Sequence, residues 1–138
     1  MRVLVDTSVW VDFLNGHPSP ESDLLTSLIA SDADVCTCGV VVAEVFQGLR
    51  QDKGRKELEK LFRRLVFLEG IGFDPYLRAA ELYRNLRARG RTVRSTIDCL
   101  IAILAEDGEC FLLARDRDLS MILSSGLVKV RLLAPEAR

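Results

Sequence analysis

Four carboxylates stand where a folded chain ordinarily avoids them. Asp6 ends the apolar run Val3–Val5 in "VLVDTSVWVDFL", and Glu44 interrupts "GVVVAEVF". Asp98 sits inside "STIDCLIAILA", and Asp116 follows "CFLLA". Three of them have a structural use. Asp6 or Ser8 can cap the helix that follows, Asp116 can cap "RDLSMIL", and Ser95 with Asp98 has the spacing of a capping box. Glu44 has no such use: it falls mid-helix among apolar neighbours, where an unpaired carboxylate is costly.

Position suggests a shared purpose. In an open parallel sheet, strand ends and the starts of the next helices lie along one edge, where ligands bind. Asp6 and Asp116 are at strand ends, Asp98 is in the first turn of its helix, and Glu44 is one turn into the helix after the second strand. All four can face one crevice. Two carboxylates about 4 Å apart repel by roughly 1 kcal/mol in water and about 4 kcal/mol at an intermediate dielectric. Without a cation, some of the four stay protonated. A divalent ion removes the conflict, and an oxygen-only ligand set selects Mg²⁺ or Mn²⁺.

Such a pocket suits phosphodiester chemistry, with one or two ions activating a water and stabilising the leaving oxygen. "RNLRARGRTVRS" supplies Arg84, Arg87, Arg89, Arg91 and Arg94 just before Asp98, and Arg115 and Arg117 bracket Asp116. These arginines either hold a polyanion or answer helix dipoles. Asp118 can share the work of Asp116, which is preferred because it is nearer the strand end.

The elements that must carry these residues alternate. Strands are predicted at Val3–Val5, Val35–Thr37, Val66–Leu68, Phe111–Ala114 and Val128–Leu132. Helices are predicted at Val9–Leu14, Ser22–Ala30, Val40–Leu49, Arg55–Leu65, Pro75–Arg89, Thr96–Glu106 and Leu119–Ser124. In the long Pro75–Arg89 helix, Leu77, Ala80, Leu82, Tyr83 and Leu86 are expected to face inward. Alternation of this kind argues for a parallel sheet covered on both faces.

Composition narrows the function. A net charge of −1 rules out a generally basic nucleic-acid binder, so any such contact comes from a local patch. The single histidine, His17, lies in the turn-like "NGHPSP", which argues against a catalytic triad or a histidine-rich zinc site. Cys36, Cys38, Cys99 and Cys110 form no Cys-x-x-Cys pair and read as buried reduced thiols. Only three apolar residues separate Arg2 from Asp6, so no signal peptide is visible, and a cytoplasmic location is expected.

Together, "VLVDTSVWVDFL", the Glu of "VVVAEVFQGL", "TIDCLIAILA" and "FLLARDRDL" resemble the PIN-domain ribonucleases, and most closely the VapC-type toxins of toxin–antitoxin pairs. The resemblance implies an α/β fold, a three-layer α/β/α sandwich with a mostly parallel central sheet, and a single nuclease domain over residues 1–138. It also implies Mg²⁺- or Mn²⁺-dependent endonucleolytic cleavage of RNA by a metal-activated water. Homodimers, and a small antitoxin whose tail fills the groove, are further implications. The family's acidic quartet falls on Asp6, Glu44, Asp98 and Asp116. Its hydroxyl after the first acid, a ligand or substrate contact, falls on Thr7 or Ser8, and Arg94 and Arg115 are the arginines expected to touch substrate. Relatives commonly carry Thr or Ser where this chain has Ala114, which removes a hydroxyl from that corner. Asp12 recurs in the resemblance as an exposed or capping acid of the first helix. Trp10 and Phe13 read as core or dimer packing, and the apolar residues of Arg55–Leu68 as core or antitoxin groove.

The rival from another class is a phospho-accepting receiver domain, also a small α/β domain with an acidic Mg²⁺ pocket. It needs paired acids after the first strand and a lysine at a late strand end. Here Thr7 and Ser8 follow Asp6, and Lys53, Lys56, Lys60 and Lys129 are placed elsewhere.

Overall fold

The computed structural model describes residues 1–135, so the last three positions of the expected domain lie outside the described residues. Strand β1 (Arg2–Val5) leads into α1 (Thr7–Asn15) and α2 (Pro20–Ala30). Then follow β2 (Asp34–Cys38), α3 (Gly39–Gln47), α4 (Arg55–Arg64), β3 (Val66–Leu68) and α5 (Asp74–Ala88). The chain closes with α6 (Thr96–Asp107), β4 (Phe111–Leu113) and α7 (Arg117–Ser124). All strand pairs are parallel, in the order β3-β2-β1-β4.

Successive residues of β1, Val3 to Val5, are fully buried although their side chains alternate between faces. Both faces of the sheet are therefore covered by helices, which gives the three-layer α/β/α sandwich. Local chemistry sets the helix ends. Ser19 and Ser22 form a reciprocal capping box at the start of α2, with Pro20 in the first turn. Gly16 ends α1 at a φ of 65°, where a glycine carries no steric penalty. Trp10 is core: its ring lies 4.6 Å from that of Phe62 and 5.8 Å from that of Phe13. Leu58, Phe62 and Leu68 join the same core, and all four cysteines are free and buried.

Two expectations need correction. The inner stripe of α5 is Pro75, Ala79, Leu82 and Leu86, whereas Leu77 and Ala80 are exposed and Tyr83 is half-buried. That stripe follows the helical repeat back to the proline, whereas the expected set of Leu77, Ala80, Leu82, Tyr83 and Leu86 starts from a neighbouring face and shares only Leu82 and Leu86 with it. The expected strand Val128–Leu132 shrinks to one bridge between Leu112 and Leu132. Parallel strands direct alternate residues to opposite neighbours. In the three-residue β4 only Leu112 faces the outer edge, donating to Arg131 O and accepting from Leu133 N, while Leu113 O accepts from Asp6 N.

Candidate functional site

Asp6 and Asp116 are both helix caps, and their carboxylates repel each other. Asp6 sits at the β1–α1 junction, buried, and its Oδ2 accepts from Ser8 N at 3.1 Å and from Ser8 Oγ at 2.6 Å. Asp116 caps α7: its Oδ1 accepts from Asp118 N at 2.7 Å and Leu119 N at 3.1 Å. Among the described residues, no donor reaches its Oδ2. A carboxylate can thus cap a helix with one oxygen and offer the other to a ligand.

Asp98 is different. Ser95 caps α6 by accepting from Ile97 N, and the expected capping box with Asp98 does not form. Among the described residues no donor reaches the Asp98 carboxylate. Burial, reinforced by repulsion from Asp116, Asp6, Asp118 and Glu44, pushes its pKa up to about 7. Burial likewise raises the pKa of Asp6, with Asp116 adding repulsion against the Ser8 hydrogen bonds. Glu44 is half-buried rather than enclosed by apolar side chains, and its Oε1 accepts from Thr7 Oγ1 at 2.9 Å. Carboxylate oxygens of Asp98, Asp116 and Asp118 lie within 4.8 Å of one another.

The hydroxyls and arginines are engaged with the protein. Thr7 donates to Glu44, while Ser8 donates to Asp6 and accepts from Arg115 N at 3.0 Å. The guanidinium of Arg115 pairs with Asp12, and its Nε lies 3.5 Å from Glu21 Oε2. Asp12 is therefore a largely buried ion-pair partner rather than an exposed or capping acid. Arg94 donates from its backbone N and from Nε, both at 3.0 Å, to Asp118 Oδ2. That partnership holds the Asp118 carboxyl below the usual range.

The remaining arginines divide. Arg89 donates to Ser125 O and Arg91 to Met121 O and Ser124 Oγ, so both serve the carboxyl end of α7. Arg84 and Arg87 line an open cleft on α5 with Glu81 and Asn85. Sequence reasoning left Asp118 secondary to Asp116. The signal was there in "RDRD", because a helix cap and the acid two residues on share the first turn.

The PIN domain family matches residues 3–122. Ribonuclease VapC11 of Mycobacterium tuberculosis and a VapC ribonuclease of Mycobacterium bovis are each 32% identical over 121 residues, covering 87% of this chain and 90% of the relative. VapBC2 from Rickettsia felis, solved bound to a DNA fragment from its promoter, aligns at a TM-score of 0.68 and 19% identity over 99% of this chain and 100% of that one. M. tuberculosis VapC20, a Sarcin-Ricin loop cleaving toxin, aligns at 0.58 and 23% over 94% and 98%. At these identities the two structures speak for the fold.

Proposed function

The chain belongs to the PIN-domain family, among its VapC ribonucleases, and from that premise we propose that it is a metal-dependent endoribonuclease, the toxin of a type II toxin–antitoxin pair. The observation that carries this is the setting of Asp98, which is half-buried, has no donor among the described residues and is repelled by Asp116, Asp6, Asp118 and Glu44 together. The receiver alternative finds no support in the family assignment.

The donor set fits a hard divalent cation. It is all carboxylate, and neither His17 nor a cysteine belongs to it. In this reading Asp6, Glu44, Asp98 and Asp116 hold Mg²⁺ or Mn²⁺. When bound, such an ion supplies Lewis-acid polarisation of the phosphodiester and a water nucleophile near neutral pH. The chain's own groups orient and confine. Ser8 sets the rotation of the Asp6 carboxylate, Thr7 that of Glu44, and the α7 amides that of Asp116. Substrate contacts of Thr7 and Ser8 would have to coexist with these bonds. Arg115 is occupied by Asp12 and Glu21, so a direct contact with RNA would have to coexist with those pairs. Arg94 keeps both Nη groups without a partner among the described residues and stands mostly exposed beside the acids, as a phosphate contact requires.

We further propose that the chain works as one nuclease domain in the cytoplasm, pairs with a small antitoxin as its VapBC neighbours do, and forms a homodimer. Among the described residues, no helix is long and apolar enough to cross a membrane. The test is cleavage of total cellular RNA by the purified chain with Mn²⁺ or Mg²⁺, beside EDTA and Asp98→Asn controls. Discrete fragments lost in both controls are the expected result. Intact RNA from folded, antitoxin-free protein would remove the nuclease reading.

A further inference from the structure

Asp118 belongs to the acidic group, yet α7 alone does not aim it there. A side chain in the first turn can point outward to solvent. What fixes this one is Arg94, in the loop before α6, which grips Oδ2 from two sides through its backbone N–H and Nε, each at 3.0 Å. Among the described residues Oδ1 takes no donor. One carboxylate oxygen each of Asp98, Asp116 and Asp118 lie within 4.8 Å of one another, and with Oδ2 held by Arg94 the Asp118 carboxylate still has acceptor capacity for that group. The acid is buried, whereas the arginine that holds it is 78% exposed.

We propose that Asp118 is a fifth carboxylate of the metal centre and that Arg94 is its positioning residue. This rests on the metal-centre reading above. The sign of the effect on metal binding separates positioning from plain charge. An arginine near a cation site repels the cation, so if charge were its whole contribution, removing it would tighten metal binding. An orienting donor does the opposite. Charge on an exposed side chain is screened over a Debye length of about 8 Å at physiological salt. Outer groups that orient ligands are worth about 10- to 100-fold in metal affinity. The Arg94 backbone N–H persists in any side-chain variant, which places the expected loss at the low end.

The experiment is Mn²⁺ titration of the full chain by calorimetry, at low and high salt. It compares wild type with Asp98→Asn, Asp118→Asn, Arg94→Gln, Arg94→Lys and the Arg94→Gln/Asp118→Asn double variant, each shown to melt cooperatively. Asp118→Asn and Arg94→Gln are each expected to weaken Mn²⁺ about tenfold. Arg94→Lys keeps the charge but loses Nε, so it should not restore affinity. The double variant should bind no more weakly than Asp118→Asn alone, because Arg94 acts through Asp118. Tighter binding by Arg94→Gln, full affinity in Arg94→Lys, or additive losses would overturn the positioning role. Wild-type affinity in Asp118→Asn would overturn the fifth ligand while leaving the metal centre intact, provided Asp98→Asn still loses binding. A wild-type chain that binds no Mn²⁺ would overturn both.

Discussion

Asp98 links the site to pH. In the folded chain without metal, its carboxyl keeps a proton up to about pH 7, against 3.8 for an unperturbed aspartate. Between those values the folded state binds more protons than the unfolded one, so stability from this group rises as pH falls through the window. Asp6 is raised in the same direction and adds to the slope. EDTA-treated protein should therefore melt higher at about pH 6 than at about pH 8. Asp98→Asn should flatten that profile, melt above wild type at the higher pH and lose cleavage. A badly unfolded Asp98→Asn would mean that the carboxylate is structural. Asp116 separates cap from ligand in another way. Asp116→Ala should cost about 1 kcal/mol by denaturant titration through loss of the α7 cap, while Asp116→Asn should be near wild type in stability. Both should lose cleavage, and an active Asp116→Asn would leave the residue only its cap.

At the scale of elements, α6 carries chemistry at one end and support at the other. Arg78 of α5 donates to both oxygens of Asp107 at 2.8 and 2.9 Å and to Glu106 Oε1 at 3.0 Å. Glu106 Oε2 in turn accepts from Lys129 N at 2.6 Å, tying in the chain after α7. Nine residues separate Asp98 from Asp107, about 13 Å along the axis. Arg78→Ala should consequently lower stability by about 1 kcal/mol, since the pair is partly exposed and screened. RNA cleavage at a temperature well below melting should be unchanged. A large fall in kcat with normal melting would show that this network reaches the acids.

Across the whole molecule, one face beside the edge strand β3 is apolar and open. Phe67, Ile71 and Tyr76 line one open cleft there, with Phe67 and Tyr76 about half exposed and Ile71 78% exposed, and Phe73, also 78% exposed, follows two residues after Ile71. Single exposed apolar residues are ordinary, but a group of them marks an association surface. The chain should elute as a dimer by light scattering, and Ile71→Glu combined with Phe73→Glu should shift it to monomer with its melting curve preserved. A wild-type monomer at high concentration would leave this face without a self-association role.

Alternating strand and helix patterns determine the α/β architecture and the order of its elements, and the acids set against those patterns mark Asp6, Glu44, Asp98 and Asp116 as candidates for one site. Those inferences are local: periodicity says which residue lies on which face of its own element. Tertiary structure decides the partners. The chain order does not show that Ser8 reaches Arg115 N, that Arg115 turns to Asp12 and Glu21, or that Arg94 clasps Asp118 from 24 residues away. It does not show that β4 has room for only one outer bridge. Each of these depends on side-chain direction and on which loops the folded sheet brings together, and neither is encoded in spacing along the chain.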